Sequence, residues 1–340
     1  MEIAVEILRK PLSRDEALSL EDRAARAAHF TPLARGERGG AGEVPFTSPS
    51  GLPLEQRVAA ERYGEIEVRF EPAERIYWCH MRPEGRPSYT PGMLRDLSAM
   101  QASLRQIGRE PEGVEGAPRY FVVGSRVPGI FNLGGDLALF AALIRAADRA
   151  ALRAYAHACV DVVYHNAVSY DLPLVTIALV QGDALGGGFE AALSCNVIVA
   201  ERSAKFGLPE VLFNLFPGMG AYSFLARRIA PAEAERMILG GKVYTAEELH
   251  GMGLVDVLAE DGMGEDAVRG WIERQGRRQI AIEAVYRTRR RVNPVSLAEL
   301  RDVTDIWVET AMRLGESDLK RMLRLTAAQD RRHAAIAPAA

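Results

Sequence analysis

The chain has 340 residues, enough for one large domain or two ordinary ones, and its 48% apolar and 26% charged residues are the proportions of a soluble globular protein. A formal net charge of −3 argues against a general polyanion binder, nucleic acid included, although Arg287 with Arg289-Arg290-Arg291 forms a local basic patch that suits a phosphorylated carrier. Cys79, Cys159 and Cys195 stand apart without metal-ligand spacing, and no apolar run reaches the roughly eighteen residues of a membrane helix, so a cytoplasmic protein with no metal and no membrane insertion is expected.

Ser13 to His29 has helical character, opened by a capping box of Ser13 and Glu16, and 35–53 turns to Gly, Pro and Ser as a linker does. Residues 1–62 are therefore expected to be an extension, partly disordered, or a docking segment. The alternating run Glu65 to Phe70 predicts a half-buried strand and Ile76 to Met81 a second; a loop over Pro83 to Pro91 leads to a helix over Met93 to Ile107. Strand-like runs at Phe121, Leu174, Val197 and Leu254 then alternate with helical runs at Leu137 to Tyr164, Gly220 to Leu239 and Ala246 to Leu249, which predicts an α/β fold with crossover connections. Pro231 suits a first helical turn, Gly240-Gly241 its end, and Thr245 with Glu248 another capping box. Ser296 with Glu299 opens a late helix whose Leu297, Leu300, Val303, Trp307 and Leu314 form an apolar stripe, facing either this core or another subunit. No internal repeat is visible.

Chemistry concentrates in two glycine turns and two glutamates. Leu185-Gly186-Gly187-Gly188-Phe189-Glu190 follows the strand-like Leu174 to Val180 and opens a helix, and Phe131-Asn132-Leu133-Gly134-Gly135-Asp136 opens another from Leu137. Such turns leave backbone N–H groups free at a helix start, where negative charge developing on one oxygen is stabilised. Glu210, in Leu208-Pro209-Glu210-Val211, lies twenty residues after Glu190. Two carboxylic acids on either face of a carbon pair add or remove water, and Glu210, set against Val211-Leu212-Phe213, is expected to have a raised pKa. Alone, each turn is also a plain strand-to-helix link, Glu190 a favourable charge at a helix start, and Glu210 a solvated loop acid. The candidate walls of a pocket there are Leu185, Gly186, Phe213, Phe216, Met219, Tyr222 and Trp307, with Met219 the most adaptable. The six histidines make no nucleophile–base or metal pattern, Ser194-Cys195 lacks the Gly-x-Ser-x-Gly elbow, and the Gly134-Gly135 turn lacks the Lys-Ser/Thr of a P-loop.

These segments resemble the crotonase, or enoyl-CoA hydratase/isomerase, superfamily from about Glu65 to Arg332. The resemblance implies a spiral of ββα units over 63–268, a C-terminal helical trimerisation region over 269–340, and a homotrimer or hexamer. It implies that Gly135 and Gly187 hold a thioester carbonyl in an oxyanion hole and that Glu190 and Glu210 are catalytic. No resident cofactor is expected, since acyl carrier protein or coenzyme A arrives with the substrate. Within the superfamily the chain looks like the bacterial diffusible-signal-factor synthases. Asn196 in Leu193-Ser194-Cys195-Asn196, where Asp is usual, and Asn-Leu-Gly-Gly-Asp in place of Ser-Ala-Gly-Ala-Asp agree with that branch. The implied activity is dehydration of a medium-chain 3-hydroxyacyl thioester to the cis-2-enoyl form, then thioester hydrolysis to release a quorum-sensing fatty acid. The alternatives are an enoyl-CoA hydratase of fatty-acid breakdown and a non-catalytic fold that binds a regulatory partner such as a sensor kinase.

Overall fold

A computed structural model describes residues 52–109 and 116–336, with side chains up to 331, so the helix expected at Ser13 to His29 and nearly all of the expected linker lie outside the described residues. In chain order the elements are α1 (Leu54–Ala60), β1 (Ile66–Glu71), β2 (Ile76–Met81), α2 (Pro91–Ile107), β3 (Tyr120–Ser125), β4 (Gly129–Asn132), α3 (Leu137–Arg145), α4 (Arg149–Ala167), β5 (Val175–Val180), β6 (Gly182–Leu185) and α5 (Gly187–Ser194). There follow β7 (Val197–Glu201), β8 (Lys205–Gly207), α6 (Ala221–Leu225), α7 (Pro231–Gly240), β9 (Val243–Thr245), α8 (Ala246–Gly251), β10 (Val257–Ala259), α9 (Gly264–Gln275), α10 (Gln279–Val292), α11 (Leu297–Ala311) and α12 (Glu316–Ile336).

A large sheet runs β1-β2-β3-β5-β7-β10, parallel except for the β1–β2 hairpin, and a small one runs β4-β6-β8-β9. Strands alternate between them: β3, β5 and β7 join the large sheet, and the strand after each joins the small one. The ββα repeat expected from the resemblance is thus present as geometry, although the sequence carries no matching repeat.

The register explains why the inner strands read as unbroken apolar runs. Trp78, Val122, Ile177 and Val197 form one cross-strand row, and the next row is Cys79, Val123, Ala178 and Ile198. The first packs with Val268, Trp271 and Ile272 of α9, the second into the main core beneath α2, α4 and α5. Covered on both faces, these strands have no polar side to show.

Helix ends follow local chemistry. Thr90 caps α2 by accepting from Met93 N at 3.0 Å, Thr245 and Glu248 make the expected capping box, and Gly241 ends α7 at φ 56°. The helical run from Leu137 breaks at Ala147, φ 54°, and the run from Gly220 breaks before Pro231, which lacks the N–H needed to continue a helix. The strand expected at Leu254 forms instead at Val257–Ala259, with Leu254 and Val255 buried in the preceding turn.

Leu54 and Val58 of α1 lie in the main core, so the packed body begins ahead of 63. The break at 268/269 cuts α9, whose Val268, Trp271 and Ile272 bury together. The stripe on α11 faces this chain's own core through Leu300, Thr304, Trp307, Val308 and Ala311, and α12 adds Leu319 and Met322. In α10, by contrast, Gln279 alone is buried. Among the described residues no helix is long and apolar enough to cross a membrane.

Candidate active site

The two glycine turns meet. β4 ends at Asn132, whose buried side chain accepts from Gly134 N at 2.7 Å and bends the chain into a positive-φ glycine, Gly134 at 89°. A methyl group on Gly134 would lie 2.9 Å from both Gly187 N and Leu185 O, so only glycine lets the first turn approach the second. Tyr89 N donates to Gly134 O at 2.8 Å, and Tyr155 donates its hydroxyl to Tyr89 O while accepting from Asp136 N. Asp136 caps α3 through Ala138 N and Leu139 N. Every group around Gly135 is thus tied down, and among the described residues neither Gly135 N–H nor Gly187 N–H is spent on a protein acceptor.

The triplet is equally tight. Gly186, at φ 52°, faces the Glu210 carboxyl, and a side chain on it would meet Oε1 at 2.5 Å. A methyl on Gly187 would meet Met219 Sδ at 2.4 Å, and one on Gly188 would meet the Asn132 carbonyl oxygen at 2.0 Å. This places Glu210, Met219 and both turns in one cradle.

Glu190 stands in the first turn of α5, 1% exposed, and its Oε1 accepts from Met219 N at 2.7 Å and Ala221 N at 2.9 Å. Burial lifts its pKa to about 7 against the pull of those two bonds. Glu210 sits in the short 3-10 turn Pro209–Phe213. The residue is half-buried, but its Oε2 is enclosed and finds no hydrogen-bond partner among the described residues. Burial, then the charge of Glu190, raises its pKa well above the usual carboxylate range. Both carboxyls are thus pushed toward the protonated form, and the two titrate as an interacting pair.

The wall candidates separate. Met219 reaches the cradle, and Phe213, 2% exposed, closes the 3-10 turn of Glu210. Leu185 leads into the triplet and Phe216 packs half-buried on the core. Trp307 sits one layer back, against the Phe140 ring at 4.9 Å between centroids and so close to Gly218 that a methyl there would be 2.5 Å from the indole. It props Phe140, which in turn abuts Gly135. Tyr222 is 42% exposed and donates to Glu235, so it belongs to the surface rather than to the pocket. Sequence reasoning missed Tyr155 and Tyr89, and it missed that the Met219 and Ala221 backbone anchors Glu190. Among the described residues no group of three or more metal-ligating side chains comes together.

This arrangement on a ββα spiral defines a class. The sequence model of the enoyl-CoA hydratase/isomerase family matches residues 102–290, more than half of the chain, and the protein belongs to that family within the crotonase superfamily. It is 31% identical over 186 residues to the mitochondrial methylglutaconyl-CoA hydratase of Rattus norvegicus, an alignment covering 55% of this chain and 54% of that one. The chain thus spans about half the length of that curated relative. Among solved structures it is similar to an enoyl-CoA hydratase from Bacillus halodurans, with a TM-score of 0.63, 21% identity and coverage of 77% of this chain and 100% of that one. It is also similar to Pseudomonas aeruginosa DspI, with a TM-score of 0.51, 23% identity and coverage of 67% and 87%. Both likenesses concern the fold.

Proposed function

We propose that the chain is a hydro-lyase acting on acyl thioesters: it removes water from a 3-hydroxyacyl thioester, carried on acyl carrier protein or coenzyme A, to give the 2-enoyl thioester. The observation that carries this reading is the meeting of two free backbone N–H groups with two enclosed glutamates whose pKa values are both raised. In the proposed cycle Gly135 and Gly187 hold the thioester carbonyl, and charge that develops as the α-proton leaves falls on an oxygen between two fixed donors. Each such donor is worth about 3 kcal/mol in the transition state. The ionised glutamate takes the α-proton and the protonated one gives its proton to the departing hydroxyl. Water leaves, and the proton gained and the proton lost balance within the pair.

The finer reading is a medium-chain substrate, a cis-2 double bond and subsequent hydrolysis by a glutamate-activated water, releasing a diffusible fatty-acid signal from a cytoplasmic enzyme. Its support is the motif likeness in both turns and at Asn196. A second reading keeps the same site without hydrolysis, as a hydratase of enoyl-CoA. It draws on the name of the rat relative. We take the oligomer to be trimer-based. Incubating the purified protein with 3-hydroxydodecanoyl carrier protein, and assigning products by mass spectrometry and gas chromatography, separates the readings. Free cis-2-dodecenoic acid supports the synthase, a trans thioester the hydratase, and no turnover by either route defeats the dehydration itself.

A further inference from the structure

α5 joins two unlike places. Its first residue is Gly187; its last turn, about 10 Å further along the axis, ends beside a cleft of about 70 Å³. That volume holds several waters or one small anion. Arg227, Arg228, Arg289 and Arg290 line it together with Ser194 and Asn196, and among the described residues no carboxylate lines it.

The charge balance around these arginines is uneven. Arg227 is matched by Glu299, which accepts two bonds at 2.7 and 2.8 Å, and it also donates to Pro294 O. Arg228, its side chain 12% exposed, donates to Cys195 O at the end of α5 and has Asp256 at 4.0 Å. Arg290 donates to the Ser169 hydroxyl at 2.7 Å, with Asp171 and Glu283 acting on it from further off. Arg289 lies over the Tyr286 ring at 4.8 Å. Two arginines thus face close carboxylates and two face a hydroxyl and a ring, in a chain whose overall charge is −3. Burial disfavours the charge on both Arg228 and Arg290, and the neighbouring Arg289 adds to this for each. Plain structural duty explains Arg227, paired, and Arg228, capping a helix. Arg290 is held by the buried Ser169 hydroxyl, but nothing of this kind explains bringing Arg289 beside it to the same cleft.

We propose that this cleft binds a phosphate-class anion, a phosphomonoester or diphosphate group, at a site distinct from the thioester cradle. Planar guanidinium groups lining a pocket match phosphate oxygens bidentately, with Asn196 as a further polar residue on the lining. The source of the group is either free phosphate or a nucleotide, and the probes below tell these apart.

The test is isothermal titration calorimetry on the full chain at low salt with inorganic phosphate, pyrophosphate, adenosine 3′,5′-bisphosphate and coenzyme A. The variants are the double substitution Arg289→Gln with Arg290→Gln, the single Arg289→Gln, and Arg289→Lys. The expected result is binding that weakens with salt and is lost by about tenfold or more in the double variant, with Arg289→Lys closer to the wild type. Inorganic phosphate or pyrophosphate binding as tightly as the nucleotides assigns the site to a free anion; tighter nucleotide binding, abolished by the same substitutions, assigns it to a nucleotide. Arg289→Gln alters an exposed side chain and keeps the comparison available should the double variant unfold. Equal affinity in wild type and variants, or no binding to the wild type at millimolar concentration, overturns the proposal.

Discussion

The two ends of α5 obey opposite rules. At the Gly187 end there is no slack, for a single added methyl on Gly186, Gly187 or Gly188 would strike a carboxylate, a thioether or a backbone carbonyl. At the Ser194 end the packing opens into a cleft lined by arginines. The helix dipole favours acids at the first end and cations at the second, and both are present. Yet the dipole is not what governs the acids. Its benefit is about 0.3–1 kcal/mol, whereas lifting Glu190 from 4.5 to about 7 corresponds to roughly 3 kcal/mol in the other direction. Desolvation wins, even against two backbone hydrogen bonds, and a tight enclosure is what makes it win.

Breaking the enclosed end at its chemistry has the largest expected effect. Glu190→Gln and Glu210→Gln keep shape and remove a titrating group, and each is expected to lower kcat for dehydration by about 10²–10⁴-fold in a steady-state assay. A double variant no worse than either single one would mark the glutamates as a unit.

Breaking it at the backbone comes next. Gly188→Ala puts a methyl 2.0 Å from the Asn132 carbonyl oxygen, which belongs to β4 and cannot yield, so a loss of about 1–3 kcal/mol in urea unfolding is expected, with turnover falling as the turn shifts. Gly240→Ala is the matching control. It lies in α7 with nothing within 4 Å, and it should be neutral or stabilising by up to about 1 kcal/mol.

The gentlest way to sharpen the comparison is pH. Both acids have folded pKa values above their unfolded ones, so the folded state holds extra protons, and the associated stability is complete below about pH 4.5 and lost as pH rises through each folded value, about 7 for Glu190. Each proton contributes a slope of up to about 1.4 kcal/mol per pH unit. Melting temperature should fall from pH 5 to pH 8, and Glu210→Gln should flatten that fall. An unchanged slope would mean that Glu210 ionises as freely in the fold as outside it.

Much of this was legible in the chain, for reasons that differ by element. The runs at Ile66 and Ile76 and the helices read from Met93 and Pro231 carry period or proline and were readable, although the first helix starts two residues earlier, at Pro91. The strands β4, β6, β8 and β9 are only three or four residues long, too short for a period, and hidden with them was the repeat they build. The glycines and glutamates were visible as motifs because local chain geometry demands them. Tyr155, Tyr89 and the Ala221 N–H were not, because they reach the site from other segments and nothing in their own neighbourhood marks them.

The order of the large sheet has a consequence for the chain as it is made. Its strands lie side by side in the order they are synthesised, β1 through β10, so each new strand docks on an edge already formed, from one end of the sheet to the other. The prop behind the cradle arrives late. Trp307, against Phe140 and Gly218, belongs to α11, which follows every strand of both sheets. A ribosome-bound chain therefore completes both sheets before its glycine cradle is braced.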